Sequence, residues 1–306
     1  MTDYEGMLEA VYRAALRPGD VAVDVGAHVG RHAVPMARAV GRTGRVHAFE
    51  PLPSAYQHLV RVVEEASVAE PGLAAVATHN LALGDDEGES QFVFVPEFPE
   101  YSGFRERAYH VDSLRREIIT VPVRRLDAFR DDLGAVRFIK IDAEGGELVI
   151  LRGAASLIAE CRPIVSLELG DSSLEHYSYS AADYFEFFSG LGYTLFSIFG
   201  IPLSRDELVA AAREQIFWDY VAVPGSGPWP FGHDHVRVLI AQLSRASELA
   251  ARAGEAEANA HAAEARFRAA QARANAAEQE IVAMLASRSW RVTAPLRWAG
   301  SHLRRR

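Results

Sequence analysis

Seven apolar runs divide the chain up to Gly225: VAVDVG, RVHAFEP, AAVATHNLAL, VRFIKIDAEG, PIVSLELG, YTLFSIFG and IFWDYVAVPG. Several are continuous rather than alternating, which is how strands read when both faces are covered. Helical stretches separate many of them, at Pro35 to Val40, Ser54 to Ala66, Glu147 to Glu160 and Ala181 to Leu191. Parallel strands need long crossovers, and helices of this length supply them. The alternation therefore predicts an α/β domain built on a mostly parallel sheet. At 49% hydrophobic residues, a chain of 306 has ample material for such a core.

Two regions break the rhythm. From Gly84 to Phe129 an alternating strand, QFVFV, is followed by the polar YSGFRERAYHVDS and then by EIITVPVRRLDAF. This reads as strands and a long loop inserted before VRFIKIDAEG, the kind of insertion that serves as a lid or binding loop. After PGSGPWPFGHDH, a linker by its Gly and Pro content, the composition changes. Residues 1–225 form the first domain and 226–235 the linker. Residues 236–286, rich in Ala, Glu, Arg and Gln, read as a long helix or weak coiled coil, a route to a homo-oligomer. The tail, 287–306, carries six arginines and no acid, with Trp290, Val292, Leu296 and Trp298 as its apolar part. It is either a solvated basic tail or an interfacial anchor, or a docking segment for a partner.

The bulk numbers narrow the class of partner. A formal net charge of −9 argues against a nucleic-acid binder, since phosphate calls for a basic surface. The lone Cys161 has no internal disulfide partner and fits a reducing cytoplasm, where a buried thiol is its expected role. MTDYEGMLEA has acids where a signal peptide needs bases, and no run approaches the length of a membrane span. The expectation is a cytoplasmic protein, with the tail offering contact to the inner face of a membrane.

The chemistry starts at Val23, in VDVGAHVGRHAVPMA. Asp24 sits late in the first strand, and Gly26 and Gly30 bracket Ala27 and His28 in the turn to a helix. Glycines there let a ligand approach the backbone, and the end of the first strand is where doubly wound sheets bind ligands. The spacing G-x-x-x-G lacks the third glycine of a dinucleotide site, which disfavours a nicotinamide oxidoreductase. An acid before the glycines would repel a diphosphate and suits a cationic ligand such as S-adenosylmethionine. Glu50, at the end of VHAFEP, is placed to accept hydrogen bonds from both ribose hydroxyls. In FIKIDAEGGE, alternation puts Lys140 and Asp142 on one face of a strand. They are either a buried structural ion pair or the means by which the strand delivers Asp142 and Glu144 to the pocket.

The series RPGDVAVDVGAHVG, HAFEP, NLALGD and IKIDAEGGE resembles the FkbM family of S-adenosylmethionine-dependent methyltransferases, over roughly Leu16 to Val223. The resemblance implies a class I, Rossmann-like methyltransferase fold: a seven-stranded sheet with its last strand antiparallel. It implies O-methylation of a hydroxyl on a sugar or natural product. By matching position it implies that Asp24, Gly26, Ala27, His28 and Gly30 line the cofactor, that Glu50 and Pro51 lie at the ribose, and that Asn80, Leu81 and Ala82 lie near the adenine. The sequence departs from the family at His28, often Asn there, and at Gly146, often His or Ala.

Methyl transfer to oxygen needs a group to take the hydroxyl proton, and Asp142 or Glu144 are the first candidates, with His176 next. Asp142 and Glu168 also resemble the metal carboxylates of catechol O-methyltransferase, and oxygen ligands would suit Mg²⁺; no metal is assigned. On the substrate side, Tyr101, Arg105, Arg107 and His110 of the insertion suit a sugar bearing phosphate or carboxylate, or form a plain polar loop. The ending SRSWRVTAPLR resembles a segment of bacterial surface-polysaccharide enzymes, so glycan assembly is the leading context. The alternatives are a macrolide-like acceptor and a degenerate domain that serves as an assembly partner.

Overall fold

The computed structural model describes residues 4–96, 102–103, 115–143, 145–170, 174, 177–231, 268 and 279. The chain divides into two compact units, Met1–Gln242 and Leu243–Arg306. In the second, Arg268 and Gln279 are helical. The rest of the helical segment and tail lies outside the described residues.

The first unit holds a seven-stranded sheet. Its strands are β1 (Val21–Val25), β2 (Arg45–Phe49), β3 (Ala75–His79), β7 (Val136–Ile141), β8 (Ile164–Glu168), β9 (Tyr193–Ser197) and β10 (Asp219–Pro224). The order is β3-β2-β1-β7-β8-β10-β9, parallel except for β10, which runs antiparallel to both neighbours. The expected seven-stranded, mostly parallel sheet with an antiparallel last strand is what forms. The chain winds outward from β1 to β3 and then returns to lay β7 on the other side of β1. That reversal opens a crevice at the C-terminal ends of β1 and β7.

Both faces of the sheet are covered, which is why its strands read as continuous apolar runs. On one face, Val23, Val25, Ile139, Ile141, Val165 and Leu167 pack against α5 (Glu147–Gly153), α6 (Ala155–Cys161) and α7 (Ala181–Gly190). On the other, Ala22, Phe138, Ile164 and Val221 meet α1 (Tyr4–Ala15) and α2 (Ala33–Val40). Pro53 opens α3 (Pro53–Ala69), and capping boxes at Ser180 with Asp183 and Ser204 with Glu207 open α7 and α8 (Arg205–Arg213). A short α4 (Arg130–Leu133) precedes β7.

Three sequence readings need revision. AAVATHNLAL is not one strand: β3 stops at His79 and Ala82–Leu83 forms β4 in a second sheet. The Asn80 amide donates to the carbonyls of Glu50 and Pro51, which turns the chain out of the large sheet. Glu147 to Glu160 is not one helix. The backbone breaks after Gly153, where a Cβ would lie 1.8 Å from the Gly84 carbonyl oxygen. Cys161 is only partly buried, with its thiol directed at the Gly134 carbonyl. The insertion does form strands, as read. β5 (Gly88–Phe94) and β6 (Glu117–Arg124) pair antiparallel, and β4 joins β6 to complete the order β4-β6-β5.

Candidate active site

The turn after β1 is built by backbone contacts. Gly26 has φ +71°, and a Cβ on it would sit 1.9 Å from the carbonyl oxygen of Asp142. Only glycine lets the ends of β1 and β7 come this close. Gly26 and Ala27 both donate their N–H to the Phe49 carbonyl at 3.0 Å. His28 then takes a left-handed φ of 44°, unusual for a residue with a side chain. Its N–H donates to Glu50 Oε2 at 2.8 Å.

Glu50 is therefore a structural keystone as well as a candidate ligand group. It is 4% exposed, and its Oε1 accepts the Leu52 N–H at 2.8 Å. One oxygen caps the turn after β1, the other the turn after β2. Burial pushes its carboxyl up to about 7, against the pull of the two N–H donors. Each carboxylate oxygen offers two lone pairs, so each keeps one acceptor position beyond the N–H it already accepts.

Beside this turn lies a row of charges. Asp24 and Lys140 are register partners on β1 and β7, 0% and 4% exposed, on the face covered by α1 and α2. The Lys140 ammonium lies 3.6 Å from Asp24 Oδ1, 3.1 Å from Asp142 Oδ2 and 3.2 Å from the Gly26 carbonyl. Burial works against that ammonium, but Asp142 and Asp24 outweigh it and hold its pKa above the ordinary lysine value. Neither oxygen of Asp24 has a hydrogen-bond partner among the described residues.

Gly26, Glu50, Lys140 and Asp142 border a cavity of about 210 Å³. Of the residues expected at the cofactor, Gly26, Ala27, His28, Glu50, Pro51, Leu81, Ala82 and Asp142 line it together. Asp24, Gly30 and Asn80 do not line it and support those that do. Asp24 lies behind Lys140, Gly30 closes the turn through its N–H to the Ala27 carbonyl, and Asn80 holds Glu50 and Pro51.

The cavity has further walls that the motifs did not indicate. Glu5 from α1, with Arg31 and His32, forms one of them. Glu5 accepts from Arg31 at 2.8 Å and contacts His32, and the His32 bond holds its carboxyl down at about 2. Phe92 and Ser102 of the insertion form another.

Beyond Asp142, Glu147 is 1% exposed and its Oε1 accepts the N–H of Ala143 at 2.9 Å and of Gly145 at 3.1 Å. Tyr184 donates to its Oε2 at 3.3 Å. Glu147 thus fixes the loop that follows Asp142. Burial raises its carboxyl to about 7. Glu168 and Asp219 face each other in register on β8 and β10. Burial and then Asp142 push both upward, Asp219 to about 8.

Glu144, His176, Tyr101, Arg105, Arg107 and His110 lie outside the described residues. The metal reading at Asp142 and Glu168 is not carried forward: the nearest charged group to Asp142 is the Lys140 ammonium, 3.1 Å from its Oδ2. Among the described residues no group of three or more His, Cys, Asp or Glu converges to hold a metal. Nor does any helix there have the length and apolarity to cross a membrane.

Comparison with known proteins places this geometry in context. The family described as "Methyltransferase FkbM domain" matches residues 24–195, more than half of the chain. "Methyltransferase 1" of Beauveria bassiana is 26% identical over 185 residues, covering 55% of this chain and 72% of that protein. Among solved structures, methyltransferase FkbM from Methylobacillus flagellatus aligns with a TM-score of 0.40 at 17% identity. That alignment covers 72% of this chain and 55% of that one. A SAM-dependent O-methyltransferase from Thermotoga maritima aligns with a TM-score of 0.38 at 12% identity, covering 73% and 65%.

Proposed function

The chain belongs to the FkbM methyltransferase family, and from that premise we propose that it methylates a hydroxyl of a sugar, in the building of a bacterial cell-surface polysaccharide or glycolipid. The methyl donor of the reaction is S-adenosylmethionine. The observation that carries the reading is the seam where Gly26 meets the Asp142 carbonyl beside the buried Glu50. It brings Glu50, the proposed ribose acceptor, and the Asp142 carboxylate to one small cavity.

The residues fit that donor. The Gly26 turn leaves open the space a Cβ would fill. Asp24 and the cavity-facing Asp142, two carboxylates sharing the one ammonium of Lys140, favour a cation and oppose a diphosphate. Glu50 retains acceptor positions suited to two neighbouring hydroxyls.

S-adenosylmethionine supplies an electrophilic methyl carbon on a sulfonium that leaves as a neutral thioether. Everything else falls to the protein. The turn of Gly26 to Gly30 and Glu50 fix the donor end of the cavity. Glu147 fixes the loop after β7, so the acceptor end is held relative to the donor end. Alignment of this kind contributes several kcal/mol to a displacement. Asp142 is the group proposed to take the acceptor's proton: its side chain is 35% exposed, and its Oδ1 accepts no hydrogen bond among the described residues. With the donor bound, the acceptor oxygen would form its bond to the methyl carbon as the carbon–sulfur bond breaks, and Asp142 would take the acceptor's proton. Such a base contributes on the order of 10²–10⁴-fold. Tyr101, Arg105, Arg107 and His110 are proposed to hold the acceptor, and residues 236–306 to hold the enzyme at an anionic membrane face or an assembly partner.

Titration calorimetry with S-adenosylmethionine, with NAD and with a Gly26→Ala control tests the cofactor. Saturable binding of the first alone, lost in the control, is expected. Methyl-labelled donor is then offered with nucleotide sugars, lipid-linked glycans and a macrolactone. Label on a sugar hydroxyl supports the reading; label on the macrolactone alone, or on nothing, overturns the acceptor assignment.

A further inference from the structure

Two carboxylates and one ammonium meet at the junction of β1 and β7. Asp24 is fully buried, has no hydrogen-bond partner, and does not line the cavity. Asp142 lines the cavity and keeps one oxygen free of hydrogen bonds among the described residues. Lys140 stands between them, 3.6 Å from one and 3.1 Å from the other, and also bonds the Gly26 carbonyl at 3.2 Å. The three charges sum to minus one. The other ionic pair at this cavity, Glu5 with Arg31, is internally balanced. His28, His32 and Glu50 complete the titratable lining.

We propose that Lys140 sets the charge contributed by this trio: by sharing one ammonium between Asp24 and Asp142 it leaves one negative charge of the three uncompensated at the cavity wall, beside the carboxyl of Glu50, which biases binding toward the cationic methyl donor and against its neutral thioether product. The inference rests on the cofactor reading above and adds a role for Asp24, which does not line the cavity, beside Lys140 and Asp142, which do. A charge buried this deeply is weakly screened, so it acts at a distance that a surface carboxylate would not. The product differs from the donor by one methyl group and one positive charge. A wall that carries net negative charge therefore favours release after transfer. Lys140 has a second consequence. Through the Gly26 carbonyl it ties the donor turn to Asp142, so the charge and the turn keep one geometry.

Charge counting separates this idea from simple contact. Asp24→Asn and Asp142→Asn each bring the sum to zero, although only Asp142 borders the cavity. Lys140→Arg leaves the sum unchanged. Dissociation constants for S-adenosylmethionine and S-adenosylhomocysteine, measured by calorimetry at one pH, give a product-to-donor ratio for each variant. The ratio is expected to fall about tenfold in both Asn variants and to stay within about twofold of wild type in Lys140→Arg. Circular dichroism and thermal melts identify any variant that fails to fold; should Asp24→Asn do so, Lys140→Gln, which takes the sum of the three charges to minus two, decides in its place, with a higher ratio expected and an unchanged or lower ratio overturning the proposal. An equal loss of affinity for both ligands would assign these residues a purely structural role and overturn the proposal. So would a ratio that falls for Asp142→Asn but not for a folded Asp24→Asn, since that outcome is contact rather than charge. Wild-type protein that binds neither ligand would instead overturn the cofactor reading on which the proposal stands.

Discussion

Cofactor binding should expel a proton from Glu50. In the free protein burial holds this carboxyl at about 7, so near neutrality about half of the molecules carry it protonated. A protonated Glu50 has given up part of its capacity to accept the two ribose hydroxyls. If only the carboxylate binds, affinity falls tenfold for each pH unit below 7. Between about pH 8 and about pH 5.5 the dissociation constant should rise about 30-fold, or about 2 kcal/mol. Calorimetry in buffers of different ionisation enthalpy should report release of about half a proton at pH 7. Other ionisable groups line the cavity and the ligand carries its own amine, so Glu50→Gln supplies the reference. Its affinity should be weaker than wild type at pH 8, and its pH dependence shallower by the amount assigned to Glu50. A wild-type profile that matches Glu50→Gln over this range refutes the argument. The sign for stability is the reverse. A carboxyl raised in the folded state contributes fully below its unfolded pKa of about 4.5 and loses that contribution as pH rises through about 7. Bound cofactor should therefore raise the melting temperature more at pH 8 than at pH 5.5.

Gly26→Ala should abolish donor binding and destabilise the protein by several kcal/mol, because its Cβ would lie 1.9 Å from a carbonyl oxygen at a left-handed φ; an unchanged melt and titration would contradict that contact. Glu147→Ala should lower stability by about 2–3 kcal/mol and depress kcat, since the N–H groups of Ala143 and Gly145 lose their acceptor. Glu147→Gln should recover most of the stability, and urea titration of both variants checks this. His47 is buried, and burial together with neighbouring His79 lowers it to about 4. The unfolded chain binds a proton there near pH 6.5, so this site alone should remove about 3 kcal/mol of stability as pH falls from about 6.5 to about 4. Denaturation curves of His47→Phe should lose that slope.

The Gly26 end of the candidate site was legible because it is local. Asp24, Gly26 and Gly30 fall within one strand–turn–helix unit, and Glu50 ends the next strand, so pattern alone brings them near one another. The rest depends on register and on distant elements. That Lys140 stands opposite Asp24 follows from pairing β1 with β7, and no spacing announces it. Glu147 looks like an ordinary acid in the first turn of a helix, and only its burial beneath Tyr184 reveals its work on the loop. Glu5 enters the cavity on a helix whose sequence advertises only an apolar stripe. Asp219 meets Glu168 because β10 inserts between β8 and β9, an order that hydrophobicity does not encode. AAVATHNLAL failed as a single strand because one amide at Asn80 outweighs the β propensity of its neighbours.

The contact between Gly26 and the Asp142 carbonyl also has a mechanical meaning. Where two strand ends touch backbone to backbone, no side chain can rotate to let them slide or part. The centre of the enzyme is then a welded joint rather than a hinge. Ligand traffic must be accommodated at the periphery, where Glu5 latches the first helix to Arg31 and where the inserted sheet contributes Phe92 and Ser102. Substitutions can accumulate on those side-chain borders, while the joint itself admits almost none.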